Sequence, residues 1–298
     1  MESYFSDMNI YFQRMLGDLP PVFANMTFSA YWPLMRGLSP DSELVAIAAL
    51  SGTEPVGLGL ARRDEDRLGA EILSLFIQPT LWRKGLGTQL LAAVEKVLLQ
   101  GGCRRLRIAY NTGQSSAALE RVLQKRGWHA PEPQMLLAQI GPEIAKDKWV
   151  VEMQVPPPFE LFSWTDLTPE DRARLEAVRT SVPAALWPFE SDAPVEPSNS
   201  LGLRLNGEIV GWMVTHRVSQ HLVRYTALYI REPWRSTTLS FALLAEAVRR
   251  KERVLPPEVL SSMAVQIDNR AMLRVAERRL RVHAQLWEER RVSSKDLE

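Results

Sequence analysis

Residues 70 to 91, AEILSLFIQPTLWRKGLGTQLL, join a strand-like run to a helix-like run through a proline, two basic residues and two glycines one residue apart. A chain that leaves a strand, turns and enters a helix presents unpaired backbone N–H groups at the helix N-terminus. Those donors and the positive end of the helix dipole attract an anion. Gly85 and Gly87 let a phosphate approach the backbone without meeting a Cβ atom, and Arg83 and Lys84 add positive charge beside it. The turn therefore suits a pyrophosphate. The competing reading is an ordinary strand–helix connection that happens to contain glycines. The turn is not a P-loop, which requires GxxxxGK followed by Ser or Thr. It is not a dinucleotide fingerprint either, because no acidic residue ends a strand about 20 residues on.

Other reactive side chains carry less information. His129, His216, His221 and His283 form no HxH, HExxH or CxxC pattern, so no metal site is expected. His216 could face a cleft, but a hydrogen-bonded structural role is the stronger expectation. Cys103 is the single cysteine, which excludes an internal disulfide and a thiol-based metal cluster; it is expected to be a small buried residue. Tyr4, Phe5, Tyr11, Phe12, Phe23, Phe28, Tyr31 and Trp32 crowd the segment before residue 43, where they could line an acceptor pocket or pack as core.

The elements that must hold these residues follow from hydrophobic periodicity and turn chemistry. Residues 43–50 and 55–63 read as a hairpin about SGTE, and 68–78 as a third strand. A helix is expected over 85–102, a strand over 103–110, a helix over 116–128 and a strand over 135–140. The segment before 43 reads as a weak first strand with one or two helices. The run PPP at 156–158 suits a linker or stiff turn and predicts two domains, 1–155 and 156–298. After it the pattern restarts: strand 159–164, helix 168–179, a hairpin turning at Asn206–Gly207, strand 224–230, helix 236–251, strand 261–267 and helix 271–280. A shift of 153 pairs Leu75 with Leu228, Ile77 with Ile230, and Leu90-Leu91-Ala92 with Leu243-Leu244-Ala245. A shift of 154 pairs Val56-Gly57 with Val210-Gly211. Two copies of one α+β domain are the economical reading.

In element order and in the motif WRKGLG, residues 43–140 resemble the GNAT superfamily of acetyl-CoA-dependent N-acyltransferases, and 159–290 resemble it more faintly. The family's turn begins with Arg or Gln, where this chain has Trp82. The resemblance implies two tandem GNAT-type α+β domains, each a mixed, mostly antiparallel twisted sheet flanked by helices. It implies acetyl-CoA held by Trp82, Arg83, Lys84, Gly85, Leu86, Gly87 and Thr88, by the main chain of Leu75, Phe76 and Ile77, and by Asn111. One branch of the family uses a glutamate fourteen residues before the first motif glycine, in an AEI context, to deprotonate the amine; here that residue is Glu71. Its alternative role is that of an ion-pair partner for Arg62 or Arg63. The family's oxyanion donor, a backbone N–H, carries over to Leu75. The family's general acid is a tyrosine, and Leu123 stands in its place, which leaves Tyr110 as the nearest tyrosine in sequence, with packing as its stronger expectation. In the second copy Gly85, Gly87 and Glu71 become Thr238, Ser240 and Arg224, which implies a half that kept the fold and lost the chemistry.

The bulk numbers set outer bounds. Lys plus Arg is 36 against 35 for Asp plus Glu, which argues against a broad nucleic-acid surface. Apolar residues are 46% and charged residues 24%, the range of a globular protein. No apolar run nears the ~18 residues of a membrane span, and MESYFSDMNI lacks the features of an export signal, so a cytoplasmic protein is expected. The expected activity is acetyl transfer from a CoA thioester to a small primary amine. A protein or peptide N-acetyltransferase and a non-catalytic acyl-CoA-binding regulatory protein are the alternatives.

Overall fold

The computed structural model describes residues 9–235 and 237–298; Tyr4 and Phe5 lie outside them. In chain order the strands are β1 (Ile10–Arg14), β2 (Leu44–Ser51), β3 (Glu54–Arg63), β4 (Gly69–Ile77), β5 (Arg105–Asn111), β6 (Glu132–Ile140), β7 (Glu160–Ser163), β8 (Leu201–Leu205), β9 (Glu208–Ser219), β10 (Leu222–Ile230), β11 (Leu260–Gln266) and β12 (Ala284–Asp296). The helices are α1 (Leu86–Gln100), α2 (Ser116–Lys125), α3 (Lys148–Glu152), α4 (Pro169–Ala177), α5 (Thr237–Val254) and α6 (Arg270–Val275).

Packing divides the chain into one unit of Met1–Gln134 with Glu289–Glu298 and another of Met135–Glu288. The proline run, from which a boundary at 155/156 is expected, lies inside the second unit. Prolines end regular structure, but they do not decide which core a segment joins. Leu136, Ala138, Ile140, Ile144, Trp149 and Val150 are all buried in the core of the second unit. Burying apolar side chains there outweighs the punctuation.

The first unit orders its strands β1-β2-β3-β4-β5-β12, with β4 and β5 parallel and the other pairs antiparallel. The second runs β7-β8-β9-β10-β11-β6, with β10 and β11 parallel and the rest antiparallel. The order is the same in both, and β12 and β6 hold equivalent places. Two copies of one mixed α+β sheet are thus present.

Local sequence explains most elements. Every residue of β2 except its last is buried, because α1 packs over one face and the segment before residue 43 over the other. That segment forms β1 and short 3-10 turns at Pro21–Met26 and Ser29–Met35 rather than α-helices. Pro20, Pro21 and Pro33 have no N–H to donate to a helical ladder. α4 starts at a capping box in which Thr168 and Asp171 bond each other's backbone N–H, with Pro169 at the first helical position. The β8–β9 hairpin turns at Asn206 and Gly207, both left-handed at φ +51° and +80°, as a two-residue primed turn requires. The helix expected over 271–280 is α-helical only to Val275 and continues as a π-turn over Ala276–Leu280.

β12 has no precedent in the sequence pattern, because AQLWEERRVSSKD carries no alternation of apolar and polar residues. Its place is fixed by partners instead. Lys295 on β12 donates to Glu95 of α1 at 3.0 Å, and Glu95, only 3% exposed, also accepts from the Arg126 guanidinium and the Trp128 indole. A buried carboxylate is tolerated when its lone pairs are filled in this way.

Candidate active site

The repeat is kept down to irregularities in the strands. In β4, Leu60 faces Ser74 and Ala61 faces Ile72, so Leu73 is an extra, bulged residue. In β10, Thr215 faces Tyr225 and Val214 faces Ala227, so Thr226 is bulged at the same place, 153 residues on. Gly57 and Gly211 are needed for the same reason. A Cβ on either would come within 2.7 Å of the carbonyl of Phe76 or Tyr229 and closer still to the side chain of Ile77 or Ile230.

The bulge marks where β4 leaves its neighbour. β4 pairs with β5 only over Gly69–Ile72 and Arg105–Ile108, although both strands continue, to Ile77 and Asn111. The remaining stretches border a gap. Gln78 donates its N–H to Val56 on β3 at 2.9 Å. Backbone groups alternate along a strand, so the N–H groups of Leu75 and Ile77 point away from β3, into that gap.

At its end the gap meets the turn. Trp82 and its exposed neighbours Arg83, Lys84 and Gly85 follow a 3-10 turn at Pro79–Leu81. Arg83 and Gly85 are left-handed at φ +62° and +79°, and Gly85 caps α1. The first N–H groups of α1, at Leu86, Gly87 and Thr88, have no intrahelical acceptor. Trp82 donates its indole N–H to the Ile77 carbonyl at 2.7 Å. In the second unit Arg235 donates its Nε to the Ile230 carbonyl at 3.2 Å. Trp82 and Arg235 therefore do one job, securing the last carbonyl of the strand before the turn, and the unusual tryptophan is accommodated.

Glu71 lies on the paired part of β4, opposite Arg62 on β3 and Arg107 on β5. Its Oε2 is 3.5 Å from Arg107 and 3.9 Å from Arg62, and its side chain is 21% exposed. Arg107, which pattern reading leaves unmarked, is the nearer partner. Its signal was the parallel register of β4 and β5, which the sequence does not state. Arg63 points elsewhere and is buried.

Tyr110, at the end of β5, donates its hydroxyl to Glu120 Oε1 at 2.7 Å, and Arg291 on β12 reaches the same oxygen at 2.9 Å. Burial, then the hydrogen bond to Glu120, pushes the phenol well above its ordinary range. The proton is held on the ring and shared with a carboxylate. Asn111 is exposed beside it, and Leu123 is buried in the core. Cys103 is buried as well.

The second unit has the same splay, since β10 and β11 pair only over Leu222–Arg224 and Leu260–Ser262. The chemistry around it differs. The Arg62–Glu71–Arg107 row becomes His216–Arg224–Ser262. α5 already begins at Thr237, so Thr238, in the place of Gly85, is helical rather than left-handed. His216 is 2% exposed, and its Nδ1 lies 2.8 Å from Thr226 Oγ1.

Burial first, and the charge of Arg224 second, depress the pKa of His216 below its ordinary 6.5. Above that value the ring is neutral folded or unfolded, and stability is complete. As pH falls below 6.5 the unfolded chain takes up a proton that the folded chain refuses, and stability declines until the folded pKa is passed. The urea midpoint is therefore expected to drop between pH 7.5 and pH 5, and His216→Gln to flatten that drop. An unchanged pH slope in the variant would assign the effect to other groups.

A profile of the acetyltransferase (GNAT) family matches residues 12–128. Among solved structures, a tandem GNAT protein from the clavulanic acid biosynthesis pathway aligns with TM-score 0.56 and 14% identity, over 97% of this chain and 98% of that one. A GCN5-related N-acetyltransferase from Sphaerobacter thermophilus aligns with TM-score 0.55 and 15% identity, over 96% and 95%. The glucosamine N-acetyltransferase region of a fungal multi-domain β-N-acetylglucosaminidase aligns with TM-score 0.51 and 14% identity, over 99% of this chain and 39% of that one. No curated protein matches the sequence. Residues 12–128 thus carry a domain of the acetyltransferase (GNAT) family, and the chain as a whole has the fold of tandem GNAT proteins.

Proposed function

We propose that the first unit binds acetyl-CoA and transfers its acetyl group to a primary amine of a small molecule. The observation that carries this reading is the continuity of the β4–β5 gap with the left-handed Gly85 cap of α1. The thioester supplies an activated acyl group. The free N–H groups of α1 and the side chains of Arg83 and Lys84 bind the pyrophosphate. The N–H groups of Leu75 and Ile77 bond the pantetheine arm as an added strand would, and Asn111 borders it. The N–H of Leu75 also stabilises the negative charge that develops on the carbonyl oxygen. Glu71 takes the proton from the ammonium, directly or through water. Tyr110, its proton engaged by Glu120, is a weak acid for the leaving thiolate and is kept as a candidate for that step alone.

Titration calorimetry is expected to give one CoA site per chain, and Gly85→Val to weaken binding by at least about 100-fold. A branched side chain at φ +79° is strained by roughly 1–2 kcal/mol and crowds the phosphates. Two equal sites per chain, or wild-type affinity in the variant, would contradict the assignment. A second reading, acyl-CoA binding without turnover, draws on the ion pairs that occupy Glu71 and the bond that occupies Tyr110. An amine panel that leaves acetyl-CoA unconsumed would select it, and label entering protein rather than small molecules would select a protein acceptor.

A further inference from the structure

At the opposite end of β4 from the turn, Arg14, Arg63 and Arg67 line a cleft of about 450 Å³. Among the described residues, Asp41 is the one carboxylate in its wall. Arg14 donates to the carbonyls of Pro40 at 2.8 Å and Ser39 at 3.5 Å, and Arg63 reaches the same Pro40 oxygen at 3.3 Å. Arg67 donates to the Asp41 carbonyl at 3.1 Å, with its other end 3.8 Å from the Asp41 carboxylate. The three guanidinium groups converge, and they are under-compensated. Arg63 is 5% exposed and its Nε has no acceptor among the described residues. A buried charged donor without a partner is costly and calls for an explanation. Arg14 is depressed from its ordinary pKa by burial and then by the charge of Arg63. Asp41 and the carbonyl end of α1 at Gln100 and Gly101 offset part of the charge, and three cations against one carboxylate still leave an excess.

We propose that this cleft binds a small phosphate-class oxyanion, separate from the acyl-CoA site. Three guanidinium forks converging from different elements match the several oxygens of a phosphate better than the two of a carboxylate. A bound anion would offset the charge of the nearly buried Arg63. The occupant ties together β1, the end of β3, the β3–β4 connection and the loop before β2, a set of contacts that the Arg–carbonyl bonds make only in part. The concave shape and modest net charge favour a free ion or a small ester over a polymer.

The test is calorimetric titration of the full chain, saturated with CoA so that the turn is filled, with inorganic phosphate and separately with glycerol 3-phosphate. One site per chain is expected for at least one of them; phosphate alone identifies the free ion, and a preference for the ester identifies an esterified ligand. Arg14→Gln and Arg67→Gln are each expected to weaken that binding at least 10-fold without altering CoA affinity. The Arg67 side chain is 54% exposed, so its variant should fold, and a thermal melt verifies this. Arg63→Lys, which keeps the charge but loses the fork, is expected to weaken binding as well. Absence of binding at millimolar concentrations of either probe, or undiminished binding in the Arg14 and Arg67 variants, would overturn the proposal.

Discussion

Glu71→Gln is expected to lower turnover of acetyl-CoA with its amine by roughly 10²–10⁴-fold, the range for loss of a general base, while CoA affinity stays near wild type. Glutamine keeps the size and hydrogen-bonding reach of the side chain and removes only its ability to take a proton. The ion pairs with Arg62 and Arg107 are lost too, but both arginines are about half exposed, and such pairs contribute about 1 kcal/mol or less. A thermal melt should therefore move little while the rate falls. The deficit should shrink as pH rises, because the acceptor amine then sheds its proton without help. A variant with wild-type rates at neutral pH would leave Glu71 as the partner of two arginines and nothing more.

Separating the chain at the proline run is expected to abolish activity altogether. Residues 1–155 lack Glu289–Glu298, which belong to the first unit, and residues 156–298 lack 135–155, which belong to the second. The first fragment loses the strand beside β5, one cation from the buried Glu95 and the Arg291 contact that steadies Glu120. An exposed β5 edge invites aggregation, and the buried Glu95, which keeps Arg126 and Trp128, loses one charge-assisted hydrogen bond of about 1.5–3 kcal/mol. Gel filtration and circular dichroism of each fragment should show aggregated or unfolded chains. A fusion of residues 9–134 to 289–298 through a flexible linker should recover a cooperative melt. Full acetyl transfer by residues 1–155 alone would reduce the second unit to a passenger, and full transfer by 156–298 alone would reverse the roles of the two.

Much of this architecture is written locally. The AsnGly hairpin, the Thr168 cap, the GlyGly stop after α1 and the apolar faces of α1 and α5 are each set by neighbours within one turn or one strand, and all appear where pattern reading puts them. The 153-residue repeat extends even to a bulge that no single-copy reading would find. What escapes is set by distant partners. β12 is charged and unpatterned, and distant partners, among them Glu95, Glu120, His129 and the open edge of β5, give it a place. The division of the chain escapes for the same reason, since proline marks where structure stops and says nothing of which core lies next. At the candidate site the turn is legible because glycine has a local backbone meaning. Arg107 as a partner of Glu71 is not, because cross-strand register depends on the whole sheet.

The place of residues 289–298 in the first unit has a consequence during synthesis. By the time Gln134 leaves the ribosome, all but one strand of that sheet exists, and the missing one is encoded more than 150 residues later. At about 5–20 residues per second, the remaining 164 residues take roughly 8–33 s. For that interval the nascent sheet carries an unpaired edge on β5, a template for pairing with other chains. The yield of folded protein would then depend on how quickly synthesis reaches β12 as well as on equilibrium stability.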